Sequence, residues 1–132
     1  MNIDKEYELP FPVSEVFTAW VSSETIIPPA SRMNIEPVPG GCYELFMDGP
    51  DGGASNRGRF HLVQPNERLV YTWEWNGDGE VTVIDVTFQS DGPQTRLRLS
   101  HRGFLSEDSA KMHDAGWDSY IQGLTDHIRR QR

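Results

Sequence analysis

The chain has 132 residues, 36% of them hydrophobic and 24% charged, with a formal net charge of -8 and a pI near 4.8. That length suits one domain, 1–132, with a modest core. The negative field opposes phosphate backbones and anionic headgroups, which excludes nucleic acid as a partner, and no apolar segment approaches the ~20 residues of a membrane helix.

Ile3, Lys5, Tyr7 and Leu9 share one parity, and Asp4, Glu6 and Glu8 share the other. This predicts a first strand with one wet face, ended by Pro10 and Pro12. From Val13 the period changes: Val13, Val16, Phe17, Trp20 and Val21 fall at helical intervals, with Glu15 near the start. The stretch Ser22 to Ser31, with Pro28-Pro29, permits at most a second short helical turn before a bend.

Beyond Gly40-Gly41 the chain reads as an antiparallel meander. The alternating rows are Tyr43, Leu45 and Met47; Phe60 and Leu62; Leu69, Tyr71, Trp73 and Trp75; Thr82, Ile84, Val86 and Phe88; and Leu97, Leu99 and His101. The linkers are Asp48 to Asn56, Gln64 to Asn66, Asn76 to Gly79 and Asp91 to Pro93, all rich in residues that accept tight turns. From Ser106 to about Arg130 helical spacing returns, with His113, Trp117, Tyr120, Ile121, Leu124 and Ile128 on one face. Ser106 suits an N-cap, while Glu107, Asp108 and Arg129, Arg130 and Arg132 match the helix dipole. A long amphipathic helix over a curved antiparallel sheet is the economical α+β architecture. A single cysteine, Cys42, allows no intramolecular disulfide. Residues 1–9 lack the basic and apolar segments of a signal peptide, so a soluble cytoplasmic protein is expected.

Several landmarks carry a family resemblance: Val16-Phe17-Thr18-Ala19-Trp20, Gly40-Gly41-Cys42-Tyr43, Gly58-Arg59-Phe60, Pro65-Asn66-Glu67-Arg68-Leu69-Val70, Thr95-Arg96-Leu97, His101-Arg102-Gly103-Phe104 and His113-Asp114-Ala115-Gly116-Trp117. In this order they resemble the family named for the C-terminal domain of the activator of heat-shock protein 90 ATPase, within the START-like (SRPBCC, birch-pollen-allergen-like) superfamily. The resemblance runs from the first strand to Ile128. It implies a helix-grip fold, in which a curved antiparallel sheet wraps around the long C-terminal helix, with one or two short helices after the first strand. It departs at Ile26-Ile27-Pro28-Pro29-Ala30, where many relatives carry a tryptophan. The activator has an additional N-terminal domain that contacts the chaperone, so a full co-chaperone cycle is not expected from this chain alone.

If the sheet curls around the last helix, as the resemblance implies, Tyr43, Phe60, Tyr71, Trp73, Trp75, Phe88, Trp117 and Tyr120 line the space between them, joined by Ile121 and Leu124. Such a lining suits a small hydrophobic or aromatic molecule. Against this, the same rings can fill a solid core, although buried Tyr and Trp still need partners for their polar atoms. His101 and His113 fall at one end of that space. They could serve as acid and base, with Tyr71 or Tyr120 beside His101, or they could simply satisfy nearby backbone. His61 and His127 read as solvated.

Neither a metal nor a cofactor is expected, because the histidines and Cys42 show no ligand spacing. The loop Asp48 to Gly53 lacks the acidic pattern of a calcium site. Glu44 on the same strand face should raise the Cys42 thiol pKa and keep it unreactive. Gly40-Gly41, with no helix behind it, is a bend rather than a phosphate loop. The leading expectation is non-catalytic binding of a small hydrophobic molecule. Chaperone contact stands second, and a cyclase- or hydrolase-like reaction at His101 third. A monomer or weak homodimer is expected, since outward Val70, Val81 and Val83 make only a small apolar patch.

Overall fold

A computed structural model describes residues 2–27, 30–48 and 53–132. The elements run β1 (Asn2–Leu9), α1 (Val13–Trp20), β2 (Arg32–Ile35), β3 (Cys42–Met47), β4 (Ala54–Gln64), β5 (Arg68–Trp75), β6 (Thr82–Asp91), β7 (Gln94–Arg102) and α2 (Glu107–Gln131). The strands form one seven-stranded sheet in the order β1-β7-β6-β5-β4-β3-β2, every pair antiparallel. Both helices lie on one face. This is the helix-grip architecture.

Two expectations need correction. β2 has no counterpart in the predicted elements: four residues between proline-bearing segments are too few to show a period, and pairing with β3 makes them a strand. Of the one or two short helices expected after β1, one, α1, forms among the described residues. Residues 21–27 hold turns, with Thr25 N donating to Ser22 O at 3.1 Å. The linker expected to run to Asn56 ends earlier, because Ala54, Ser55 and Asn56 already pair with Met47, Phe46 and Leu45. The Pro28-Pro29 bend and the centre of the Asp48–Gly53 loop lie outside the described residues.

β4 also breaks its alternation. The register shifts between Phe60 and Leu62, so Val63, not Leu62, stands opposite the buried Leu69. An extra residue in one strand turns every later side chain to the other face. Gly40 (φ +82°) and Gly41 make the bend before β3. Gly40 N donates to Phe60 O at 2.8 Å, and a Cβ on Gly41 would overlap the Glu36 carbonyl.

Ser106 caps α2 by accepting from Ser109 N at 3.1 Å. One flank of α2 meets β1: Lys5 Nζ lies 3.1 Å from Asp114 and 2.8 Å from Asp118, and Tyr7 donates to Asp118 at 2.8 Å. Burial opposes the Lys5 charge, yet these two carboxylates hold its pKa above the ordinary lysine range. By helical spacing the opposite flank carries Met112, Gly116, Tyr120 and Gly123. At Gly123 the side chain of Ile27 occupies the space a Cβ would need, whereas Gly116 has nothing within 4 Å. Gly116→Ala should therefore stabilise the helix by about 0.5–1 kcal/mol. Gly123→Ala should cost about 1–3 kcal/mol as Ile27 is displaced. Urea midpoints of the two variants should move in opposite directions.

Candidate functional site

The concave face of the sheet carries a continuous aromatic cluster closed from above by α1 and α2. Tyr43 stacks on Tyr71 with centroids 4.7 Å apart and meets Phe60 and Trp73 at 5.9 and 5.7 Å. Trp20 is the hub on the helical side, 5.6 Å from Phe88, 5.9 Å from Trp117 and 5.0 Å from Tyr120. Its indole N–H donates to Tyr71 Oη at 3.2 Å. Helical periodicity assigned Trp20 to the core only; its N–H, which must find a partner when buried, was the available signal for more.

The twelve residues expected to line the site divide by burial. Tyr43, Phe60, Tyr71, Phe88, His101, Trp117, Ile121 and Leu124 are buried, and Phe88 sits beneath α1 against Phe17, apart from the histidine end. Trp73, Trp75, His113 and Tyr120 are only half-buried. So are Met33, Leu45 and Met47 on the same face. Burial pushes the Tyr43 hydroxyl pKa up to about 12. Burial, followed by the neighbouring Tyr43 hydroxyl, holds those of Tyr71 and Tyr120 well above the ordinary value. All three phenols are neutral.

His101 and His113 do come together, with ring centroids 5.2 Å apart and edge to face. His101 is fully buried. Its Nδ1 accepts from Trp117 Nε1 at 3.0 Å, so its proton is on Nε2, which donates to Thr82 Oγ1 at 2.6 Å. Thr82 Oγ1 in turn donates to the Trp73 carbonyl at 3.1 Å. Burial, with His113 adding to it, lowers the His101 pKa to about 3. His113 mirrors the arrangement: Nδ1 donates to Ser109 O at 2.8 Å and Nε2 accepts from Trp75 Nε1 at 3.2 Å. Neither ring keeps a free lone pair, so both act as hydrogen-bonded struts between sheet and helix. Thr82 lay on the predicted inward row, but a parity pattern does not reveal its hydroxyl's role.

Among the other candidates, Cys42 donates to Glu36 Oε1 at 3.1 Å, and burial, then Glu36 and Glu44, raise its pKa to about 11. His61 is exposed, as expected. His127 is instead half-buried, with Nε2 3.4 Å from Thr25 Oγ1. Two open surface depressions, of about 560 and 480 Å³, lie away from the aromatic cluster. One is bordered by Arg32, Phe46 and Asn76; the other, between α1 and α2, by Glu15, Thr25 and Arg132. No helix of the described residues is long and apolar enough to cross a membrane.

Comparison with known folds agrees with this geometry. A protein from Mesorhizobium loti superposes with a TM-score of 0.81 at 19% identity, covering 100% of this chain and 99% of that one. The AHSA1-like protein from Aeromonas hydrophila gives 0.82 at 20%, covering 99% and 94%. DynU16, from the dynemicin biosynthetic locus, gives 0.82 at 18%, covering 99% of this chain and 48% of its own. No curated protein matches the sequence. The family model described as "Activator of Hsp90 ATPase homolog 1-like protein" matches residues 10–129, and the chain belongs to that family.

Proposed function

We propose that this protein binds a small hydrophobic or aromatic molecule between the concave face of the sheet and α2, without catalysing its conversion. One observation carries the reading: the inward aromatic row is not fully buried at its β5 end, where Trp73 and Trp75 of β5 and Tyr120 of α2 are only partly buried although they share a face with the core. Apolar rings held open beside a few fixed polar groups suit a small-molecule site. The saturated hydrogen bonds of His101 and His113 favour a rigid wall over an acid–base pair. A likeness to DynU16, which comes from a biosynthetic locus, is in keeping with a small organic ligand. Contact with heat-shock protein 90, the alternative the family description suggests, has no equally specific feature here to support it.

Native mass spectrometry of the purified protein should show a discrete extra mass that leaves on denaturation. Trp73→Ala should weaken retention of that molecule about tenfold. Protein that emerges with a bare mass and binds none of a panel of aromatic lipophiles would remove the proposal. A change in chaperone ATPase rate on adding the protein would then favour the alternative.

A further inference from the structure

We propose that Asn56 is the polar anchor of this site and that its ligand carries a neutral lactam or cyclic imide edge, an N–H donor beside a C=O acceptor on a flat ring. This rests on the binding reading above and names the ligand class. Asn56 is wholly buried, yet neither Oδ1 nor Nδ2 has a hydrogen-bond partner among the described residues. An orphaned buried carboxamide is costly and rare in native proteins.

Its position says what would pair with it. In register Asn56 stands between Leu45 of β3 and Trp75 of β5, which places all three on the concave face. Gly58, next along the same row, has no side chain, and it must be glycine because a Cβ there would overlap the Thr72 carbonyl. The carboxamide is therefore flanked on its row by the partly buried Leu45 and Trp75, with no side chain from Gly58 beside it. Trp75 is pinned by its N–H to His113, so Leu45 is the side chain that turns aside to admit a ring.

A primary carboxamide offers one donor and one acceptor side by side, the complement of a lactam edge. An anion fits poorly: Lys5, the inward cation of β1, is already held by Asp114 and Asp118. An unpaired carboxylate beside Leu45 and Trp75 would be strongly disfavoured. A ligand without the donor–acceptor pair would leave Asn56 orphaned in the complex.

The test compares three probes by ligand-observed NMR: 2-quinolone, its N-methyl derivative and naphthalene. Wild-type protein should bind 2-quinolone about tenfold or more tighter than the N-methyl derivative. Asn56→Leu should abolish that preference, bringing the affinities for 2-quinolone and its N-methyl derivative to about the same value. If wild type binds naphthalene but does not prefer 2-quinolone over its N-methyl derivative, the Asn56 assignment is overturned while the aromatic site stands. If none of the three binds, both fall. The wild-type comparison decides the matter even if the variant does not fold.

Discussion

Trp117→Ala is expected to be among the most destabilising single changes in the protein, lowering folding stability by about 3–5 kcal/mol. The ring is 7% exposed, lies 5.9 Å from Trp20 and meets Tyr120 and His101 edge to face. Alanine removes that packing where α2 crosses the sheet. It also takes away the N–H that His101 Nδ1 accepts. Trp117→Phe separates the two effects, because it keeps most of the apolar bulk and removes only the donor. Stranding the imidazole nitrogen should cost about 1–3 kcal/mol. Urea unfolding of the three proteins would measure both steps. A phenylalanine variant as stable as wild type would show that the indole–imidazole bond contributes nothing.

The second large effect is acid sensitivity through the same histidine. In the unfolded chain His101 takes a proton near its ordinary value of 6.5; in the folded protein it does so only near 3. Between those values the unfolded state binds more protons, so stability is complete above about pH 6.5 and is lost as pH falls toward 3. From pH 8 to pH 5 the loss should be about 2 kcal/mol. His127, whose pKa is lowered by burial and then by Arg130, adds a contribution of the same sign. Glu80, whose pKa is lowered by its bonds to Ser109 and Leu105, and Asp118, lowered by Lys5 and Tyr7, add their losses only in stronger acid. Replacing His101 with Gln, which still offers an acceptor and a donor, should flatten the profile between pH 8 and 5. A wild-type midpoint unchanged over that interval would contradict a buried neutral imidazole.

The long elements were legible because their periods run for many residues. β1, β5, β6, β7 and α2 each repeat their pattern often enough to fix a face, and the row ending at His101 pointed correctly toward His113. β2 and the start of β4 were not legible: a four-residue strand shows no period, and Ala54-Ser55-Asn56 reads as polar loop until β3 pairs with it. The β4 bulge is likewise invisible in a chain where Leu62 and Val63 are both apolar. At the candidate site, residue type and parity selected the inward rings, but no one-dimensional signal separated those fully buried from those only partly buried. Asn56, buried without a partner among the described residues, was not legible either. An asparagine beside glycines and serines marks a turn far more often than a buried strand position.

The pairing of β1 with β7 also bears on how the chain folds. Asn2 lies opposite Arg102, so the first strand hydrogen-bonds to the last one made. During synthesis residues 2–9 emerge long before their partners exist, and the β2–β6 meander can assemble from neighbouring hairpins in the meantime. Closure of β1 onto β7, followed by α2 seating through Lys5 and Tyr7, is then the step of highest contact order and the one expected to limit the rate. Until it occurs, β7 is an unpaired edge, and this nascent intermediate is the form most exposed to misassociation with other chains.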